Sequence, residues 1–541
     1  QASNQFLSAE IEGLGAFATV VPAIFLIVAA LVLNVLLRRL VRQQRVVIGT
    51  LKAIGYTDLQ VFVHFWEFGL SVGVAGGVLG GLLGHLLSVW MTAVYRHYFE
   101  FPELPCGFYW HTHALGMCVS LLCALLGSLH GARTVLRLQP AQAMRPEAPR
   151  RGGAILLERL PAFWHLLSAG WRLALRSVFR HRMRTAASVF AATMGAGLLV
   201  NGLMLIEGMH FFVDFQFFRV ARSDIDVAFK DERGEEALDE VRRLPGVDWA
   251  EPLLQVACTF VHGSHRRKGS VTGILRGATL TVPRSVQGQP IRVPDSGVVM
   301  SRGLAEILHV APGALVTMIP VKGERRPVQL VVAKIADSYM GLTVYAEIHY
   351  LSRLVGESLA MSAAQLMTDG NARHLRQLYR RLKQTPGVQT VNSRRATIEN
   401  INRARLQNQW IFIGLLTAFA GVLFFGSIVN ASMVNLAERR REVATFRALG
   451  YGPWRIGGMF FRENLLTTIA GFACGLPVGY LLSVLTAASY QNDLLRLPVV
   501  TAPWVWAAGF AAAMIFALLA QGVVQVTIHR MDFLDALRVQ E

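Results

Sequence analysis

Charged residues are scarce in this sequence. Asp, Glu, Lys and Arg make up 16% of its 541 residues, whereas soluble domains carry roughly 25%. Hydrophobic residues make up 53%, and the acidic class is the scarcer one, because 35 Asp and Glu stand against 53 Lys and Arg. This composition indicates a membrane protein. The arginine clusters lie beside apolar segments, so we assign the formal net charge of +18 to contact with anionic lipid rather than with nucleic acid.

Signatures of catalysis and of metal binding are also scarce. The sequence contains no Gly-Lys-Ser or Gly-Lys-Thr, which ends a phosphate-binding P-loop, and no His-Glu-x-x-His zinc motif. The spacing of its five cysteines does not suggest a metal site or a disulfide framework; they are Cys106, Cys118, Cys123, Cys258 and Cys474. We therefore predict no catalytic residue, metal site or cofactor in this chain.

Long apolar segments, by contrast, are frequent. A helix crosses a bilayer with ~20 apolar residues, and seven segments qualify: 15–37, 66–95, 112–136, 185–207, 410–435, 462–487 and 503–528. Arginines cluster after the first, third and fifth segments and before the fourth, which predicts that these loops are cytoplasmic. The loops 96–111 and 488–502 and the long segment 208–409 then lie outside, with Gln1 outside and Glu541 inside.

The sequence contains an internal repeat. LVRQQRVVIGTLKAIGY at 40–56 aligns with NLAERRREVATFRALGY at 435–451, and Gly76, Gly80 and Gly84 align with Gly471, Gly475 and Gly479. The span 185–207 and the segment 208–409 precede the second repeat and have no counterpart before the first. By symmetry we expect one more span and one more outside domain before Gln1, hence eight spans in the complete protein. The alternative is a chain that begins at Gln1 with an odd number of spans.

The repeated glycines recur every fourth residue, so each set lies on one helix face. Small residues at that spacing let two helices approach closely in lipid, which predicts helix packing at both sets. A groove that faces lipid or substrate is the alternative.

The segments 38–58 and 436–456 each predict a short, basic, amphipathic helix. Val443, Phe446 and Leu449 form an apolar stripe, Arg439 and Glu442 share a face, and Gly450 is a favourable C-cap. Such a helix either anchors on anionic headgroups or docks onto a cytoplasmic partner. Both repeats end in Ala-Ile/Leu-Gly-Tyr, which a charge anchor does not need, so we favour docking.

The segment 208–409 predicts an α+β domain. A strand at 224–229, a helix at 235–244 and a strand at 252–261 recur as a strand at 363–368, a helix at 371–382 and a strand at 389–393. Between these units, 290–350 is mainly β, with a short helix at 303–310.

Three segments together resemble the FtsX-type permeases of the FtsX/MacB/Lol family of ABC transporters. They are ERRREVATFRALG at 438–450, DALR at 535–538 and WRLALRSVFRHRMRT at 171–185. The resemblance implies that the two basic helices are coupling helices that contact an ATPase subunit. It assigns to them Arg439, Arg440, Arg441, Glu442, Arg447 and Gly450 in one repeat and Arg42, Arg45, Lys52 and Gly55 in the other. Val47 stands where Glu442 stands, so the two contacts are expected to be unequal.

The fold class that we expect is an α-helical transmembrane bundle with an α+β extracytoplasmic domain of MacB-core type. The expected organisation is a first permease unit at 1–145, a cytoplasmic linker with an interfacial helix at 146–184, a span at 185–207, the outside domain at 208–409 and a second permease unit at 410–541. The protein would lie in the bacterial inner membrane with its C-terminus in the cytoplasm.

The resemblance implies a non-catalytic permease subunit. Two copies of a partner ATPase would bind ATP and magnesium, and their motion would move or extract a lipid, lipoprotein, peptide or similar substrate. A periplasmic adaptor, a lipoprotein or a hydrolase is a further expected partner. The alternative function is an FtsX-like regulator that activates a cell-wall hydrolase without transport.

Overall fold

The computed structural model describes residues 44–98, 107–136, 167–180, 182–285, 288–321, 325–356, 360–401, 407–489 and 496–531, with isolated positions before 44 and between 158 and 165. The chain forms two compact units. Residues 207–409 and 487–500 belong to one, here called the extracytoplasmic unit after the location that the sequence predicts for it. Residues 17–206, 410–486 and 501–541 belong to the other, the membrane unit.

The first part of the membrane unit is entirely helical where it is described. Its helices are α1 (Arg45–Ala53), α2 (Asp58–Tyr98), α3 (Trp110–Leu136), α4 (Ala169–Arg180) and α5 (Arg182–Asp214). Helices α2 and α3 pack closely at a glycine, because a Cβ atom placed on Gly73 would lie 2.7 Å from the Ala124 Cβ. The Ser120 hydroxyl also donates to the Gly73 carbonyl at 3.0 Å.

A short π-helix (Phe215–Val220) follows α5 and leads into the extracytoplasmic unit. The described strands and helices of this unit alternate irregularly along the chain. They are β1 (Ile225–Arg233), α6 (Glu235–Arg242), β2 (Val247–His262), β3 (His265–Ile274), β4 (Val298–Ser301), α7 (Arg302–Leu308), β5 (Leu315–Pro320), β6 (Val328–Ala336), β7 (Thr343–Glu347), α8 (Ile348–Val355), β8 (Met361–Thr368), α9 (Ala372–Gln384), β9 (Val388–Ser393) and α10 (Arg394–Ile401).

Two interlocked strand–helix–strand units form one side of this sheet. The strand order is β3-β7-β4-β6-β5-β2-β8-β1-β9. Strand β8 lies antiparallel between β1 and β2, and β1 lies antiparallel between β8 and β9. Each predicted unit is therefore a split βαβ, with a strand of the other unit inserted into it. Leu238 and Val241 of α6 and Leu378 and Leu382 of α9 are buried in its core.

The other side of the sheet closes into a small barrel. Strand β2 is long enough to pair with β8 at one end and with β3 and β5 at the other. Because β3 pairs with both β2 and β7, the strands β3, β7, β4, β6, β5 and β2 form a ring, here called the barrel. Inward-facing residues of β2, including Val256 and Phe260, share its core with Leu304 of α7 and Leu351 of α8.

The chain returns to the membrane unit through four further helices. They are α11 (Gln407–Glu438), α12 (Arg440–Ala448), α13 (Pro453–Ser489) and α14 (Pro503–Arg530). Among the described residues, five segments are long and apolar enough to span a membrane: Asp58–Ala93, Thr185–Val220, Ile413–Ala437, Pro453–Ser489 and Pro503–Arg530. The predicted span at 112–136 coincides with α3, whereas most of the span predicted at 15–37 lies outside the described residues.

The repeated glycines have different surroundings in the two repeats. A Cβ atom on Gly475 would lie 2.7 Å from the Ala196 Cβ, and one on Gly479 would lie 2.7 Å from Val200 Cγ1, so this face of α13 lies directly against α5. In the first repeat, a Cβ atom on Gly80 or Gly84 would meet nothing within 4 Å, and one on Gly76 would meet only the Ser120 hydroxyl at 4.0 Å. The close packing predicted for Gly76, Gly80 and Gly84 is thus absent among the described residues. Helix α5 covers the stripe in the second repeat, and none of the described helices does so in the first.

A candidate coupling site on two repeated helices

Helices α1 and α12 end in the same way. Gly55 and Gly450 follow the helix ends with left-handed backbones, at φ angles of 107° and 87°. The Tyr56 N–H donates to the Leu51 carbonyl at 3.1 Å, and the Tyr451 N–H donates to the Phe446 carbonyl at 2.9 Å. In both cases the tyrosine N–H bonds to the carbonyl five residues earlier, which is the hydrogen bond between the sixth and first positions of a Schellman motif. Gly precedes the tyrosine because it adopts the left-handed backbone of this motif without the steric cost of a side chain. The shared Gly-Tyr ending therefore has a local structural cause, which weakens the argument that it exists for docking.

The two helices also bury equivalent residues. Position by position, the exposure of 47–57 matches that of 442–452. Two positions are buried in both repeats, Ile48 with Val443 and Gly49 with Ala444. The exposed positions include Val47 with Glu442, Thr50 with Thr445, Ile54 with Leu449 and Tyr56 with Tyr451, and they continue to Leu59 with Trp454. These exposed residues are here called the α1 face and the α12 face.

Both faces are largely apolar. Ile54 and Leu59 are 72% and 68% exposed, and Leu449 and Trp454 are 68% and 74% exposed. Large apolar side chains that remain uncovered are typical of a contact with another protein or with the membrane. The prediction that Val443, Phe446 and Leu449 form one apolar stripe was wrong for Leu449. Val443 and Phe446 pack inward, whereas Leu449 lies on the exposed side because it is six residues from Val443, more than one and a half turns along the helix.

Arg439 does not lie on the α12 face. Its guanidinium donates to the Glu463 carboxylate at 2.8 Å, and the Glu463 side chain is only 5% exposed. It also pairs with Glu442, donates to the Ser177 hydroxyl of α4 and lies over the Phe460 ring. Burying a carboxylate is costly unless a cation accompanies it, so Arg439 fixes the start of α12 to α13 and α4.

The equivalent cations Lys52 and Arg447 are also engaged. Lys52 Nζ lies 2.7 Å from the Asp58 carboxylate, and only 5% of the Lys52 side chain is exposed. Arg447 is half-buried and donates to the Ile528 carbonyl of α14 at 3.5 Å. Sequence reasoning placed these cations on the partner-facing surface, but in the structure they secure the helices to their own unit.

The remaining predicted residues are only partly described. Arg42 lies outside the described residues, and the side chains of Arg45, Arg440 and Arg441 do as well. Glu442 is exposed and lies on the α12 face. No other charged side chain described in α12 does so, because Arg447 is half-buried.

An apolar cluster holds α12 on the membrane helices. Val443 packs with Leu436 of α11, Ile456 and Phe460 of α13, and Ile528 of α14. A displacement of α12 must therefore move the ends of three spans with it, because packed side chains transmit displacement with little compression.

The described residues do not show an enzymatic site. No group of three or more His, Cys, Asp or Glu side chains is placed to hold a metal ion among them. Residues 69–73 read Gly-Leu-Ser-Val-Gly, but they lie inside α2, where the Ser71 hydroxyl donates to the Phe68 carbonyl at 2.8 Å. A nucleophilic serine of this motif requires a sharp strand-to-helix turn instead.

Ion pairs in the extracytoplasmic unit shift the titration of individual groups. A hydrogen bond to Asp337 raises the pKa of the Arg302 guanidinium, with Nε 2.7 Å from the carboxylate. Partial burial opposes ionisation of Glu347, but hydrogen bonds from His349 and from the Tyr350 N–H outweigh it and lower the pKa of Glu347. Glu347 caps the N-terminus of α8, and the pair of Arg302 with Asp337 joins the start of α7 to the residue that follows β6.

The membrane helices match a known family. Residues 19–140 and 411–525 both match the FtsX-like permease C-terminal family. Both halves of the chain are thus similar to the FtsX-like permeases. The resemblance and the internal repeat predicted from the sequence are thereby confirmed, because the same family matches both halves.

A curated relative is similar to this chain over much of its length. The chain is 21% identical over 407 residues to the macrolide export ATP-binding/permease protein MacB of Shewanella sp. (strain W3-18-1). The match covers 70% of this chain and 61% of the relative, so it spans less than two thirds of that protein.

Two crystal structures are also similar to part of this chain. The extracellular domain of the noncanonic ABC-type transporter YknZ from Gram-positive bacteria is 16% identical, with 31% of this chain and 98% of that chain covered and a TM-score of 0.23. The periplasmic region of MacB from Actinobacillus actinomycetemcomitans is 11% identical, with 35% and 97% covered and a TM-score of 0.25.

Proposed function

We propose that this chain is the membrane subunit of an ABC transporter and that a separate ATPase docks on the α1 face and on the α12 face. The observation that carries this proposal is the repeated exposure pattern. Two related helices bury the same positions and leave the same positions uncovered, including Ile54 with Leu449 and Tyr56 with Tyr451. Two equivalent surfaces fit two copies of one partner.

The charge distribution supports a cytoplasmic position for both faces. Arginines cluster around α1 and α12, and such clusters favour the cytoplasmic side of a span. The partner that supplies ATP hydrolysis would also be cytoplasmic. Because Glu442 stands where Val47 stands, the ATPase contact with the α12 face would differ from its contact with the α1 face.

The packing supports mechanical transmission as the mechanism. Arg439 with Glu463 and the cluster around Val443 fix α12 to α13 and α14. Movement of the docked ATPase would therefore tilt these spans and act on the extracytoplasmic side. The proposed substrate is a lipid, lipoprotein, peptide or similar molecule, as predicted from the sequence. The relative named above is an export protein, which favours transport over activation of a hydrolase.

Co-purification tests this proposal. The tagged chain, solubilised mildly from its native membrane, should retain an ATPase with Walker motifs that mass spectrometry identifies. Replacing Ile54 and Leu449 together by Glu should release the ATPase, since each change places a charge where the contact needs an apolar side chain.

Leu173→Glu is the matched control. Leu173 lies on α4, is 47% exposed and belongs to neither face. The proposal fails if no ATPase co-purifies, or if the control releases it as completely as the double variant does.

A further inference from the structure

The two sides of the extracytoplasmic unit carry different net charge. Residues 252–356, which include most of the barrel, contain twelve Lys and Arg against five Asp and Glu. The split βαβ side, residues 224–251 and 360–401, contains eleven Lys and Arg against twelve Asp and Glu and is nearly neutral. From 252 to 294 there are six Lys and Arg and no acidic residue.

The carboxylates described in the barrel segment are already engaged. Asp295 pairs with Arg276 at 3.0 Å and Asp337 with Arg302 at 2.7 Å. Glu306 pairs with Arg496 at 3.2 Å and Glu347 with His349 at 2.7 Å. None of these four carboxylates pairs with Arg266 or Lys268 at the end of the β2–β3 hairpin.

Three successive cations follow the turn of this hairpin. Gly263 and Ser264 form a two-residue turn between His262 and His265, and Arg266, Arg267 and Lys268 follow it, all of them exposed. Among the described residues, Arg266 and Lys268 form no hydrogen bond or ion pair through their side chains. Alternation along the strand places both on the outer surface of the barrel, since their partners Val261 and Thr259 lie outside the barrel core.

The same stretch of β3 has an unpaired edge. Strand β3 pairs with β2 from His265 to Gly273, but its pairing with β7 begins only at Ser270. On the β7 side, residues 265–268 therefore have no strand partner among the described residues. An extended peptide added there would gain backbone hydrogen bonds as well as contacts with the cations.

We propose that residues 265–268 bind an extended acidic segment of an extracytoplasmic protein. Arg266 and Lys268 attract it, and the edge of β3 that has no strand partner orders it as an additional strand. Lysine and arginine on an edge also prevent unwanted pairing between strands, so a purely protective role predicts no binding. A lipid headgroup would satisfy the charges but could not use the backbone edge.

Fluorescence anisotropy with a labelled oligoglutamate peptide tests the proposal on the full chain in nanodiscs. Replacing Arg266 and Lys268 together by Glu should weaken binding by about tenfold or more at low salt. The control replaces Arg373 and Arg376 together by Glu. These two arginines are exposed on α9 of the nearly neutral side, so the control changes the net charge by the same amount. It should change the affinity for the peptide by less than about twofold. Equal thermal unfolding of both variants would confirm that both are folded.

An N-methylated oligoglutamate distinguishes strand addition from charge alone. It carries the same charges without backbone N–H donors, so it should bind clearly more weakly than the parent peptide. The proposal is overturned if the peptide does not bind, if the control loses as much affinity, or if the N-methylated peptide binds equally well. It is also overturned if nanodiscs bind anionic vesicles but not the peptide, and the Arg266/Lys268 variant loses that binding.

Discussion

The close contact between α13 and α5 predicts different effects of one substitution at two glycines of the same helix. At Gly475, a Cβ atom would lie 2.7 Å from the Ala196 Cβ, 3.1 Å from the Thr193 carbonyl oxygen and 3.2 Å from the Gly197 nitrogen. Two of these neighbours are backbone atoms, so Gly475→Ala requires the helices to separate. At Gly458, nothing lies within 4 Å of the same atom.

The magnitude follows from two opposing effects. Overpacking a well-packed contact costs about 1–3 kcal/mol, whereas replacing Gly by Ala inside a helix gains about 1 kcal/mol of helix propensity. Gly458→Ala should therefore stabilise the protein by up to about 1 kcal/mol. Gly475→Ala should range from neutral to about 2 kcal/mol destabilising, and the difference between the variants isolates the packing effect of about 1–3 kcal/mol.

Unfolding in an SDS titration, followed by circular dichroism in detergent micelles, measures both variants. Gly80→Ala in the same chain should behave like Gly458→Ala, because the corresponding face of α2 is open. If Gly475→Ala and Gly458→Ala shift the midpoint equally and in the same direction, the close contact between α5 and α13 is wrong.

Three other predictions concern ionisable groups. Arg439→Ala leaves the Glu463 carboxylate buried without its arginine and should destabilise the protein by roughly 3 kcal/mol in the same titration; adding Glu463→Gln should recover part of this loss. The lowered pKa of Glu347 means that its stabilising effect is present above the usual value of about 4.3 and is lost as the pH falls towards the lowered pKa. Thermal unfolding of Glu347→Gln should accordingly lack that component of acid sensitivity. Burial raises the pKa of the Cys258 thiol to about 12, so maleimide should label it at neutral pH only when the barrel unfolds. Peptide mapping after labelling would show this. Rapid labelling of Cys258 in the folded protein would contradict its buried position.

Local features of the extracytoplasmic unit could be predicted from the sequence. The helix expected at 235–244 is α6 at Glu235–Arg242, and the strand expected at 363–368 lies within β8 at Met361–Thr368. Alternating polarity and helix-forming residues determine these elements locally. The insertion of β8 between β1 and β2, and the closure of the barrel by β3, depend on pairings between distant strands. Hydrophobic periodicity carries no information about those partners.

Helices α1 and α12, predicted as coupling helices, show the same limit at the level of single residues. The sequence located both helices and their glycine ends, but it assigned the partner surface to the cations. Arg439 pairs with Glu463, which lies 24 residues away on another helix, and no local pattern predicts that contact. The burial of Val443 beside the exposure of Leu449 similarly depends on where α14 packs. A comparison of the two repeats would have suggested Ile54 and Leu449, since they occupy the same repeat position and this position is apolar in both copies.

The central claim is that one kind of ATPase contacts both the α1 face and the α12 face. Site-specific photo-crosslinking in native membranes tests it most directly, with a photoreactive residue in place of Ile54, of Leu449 or, as the control, of Leu173. The proposal predicts that the first two positions crosslink to a P-loop ATPase and that the control does not. If neither Ile54 nor Leu449 yields such a crosslink, or if Leu173 yields it equally, these faces are not the coupling surface.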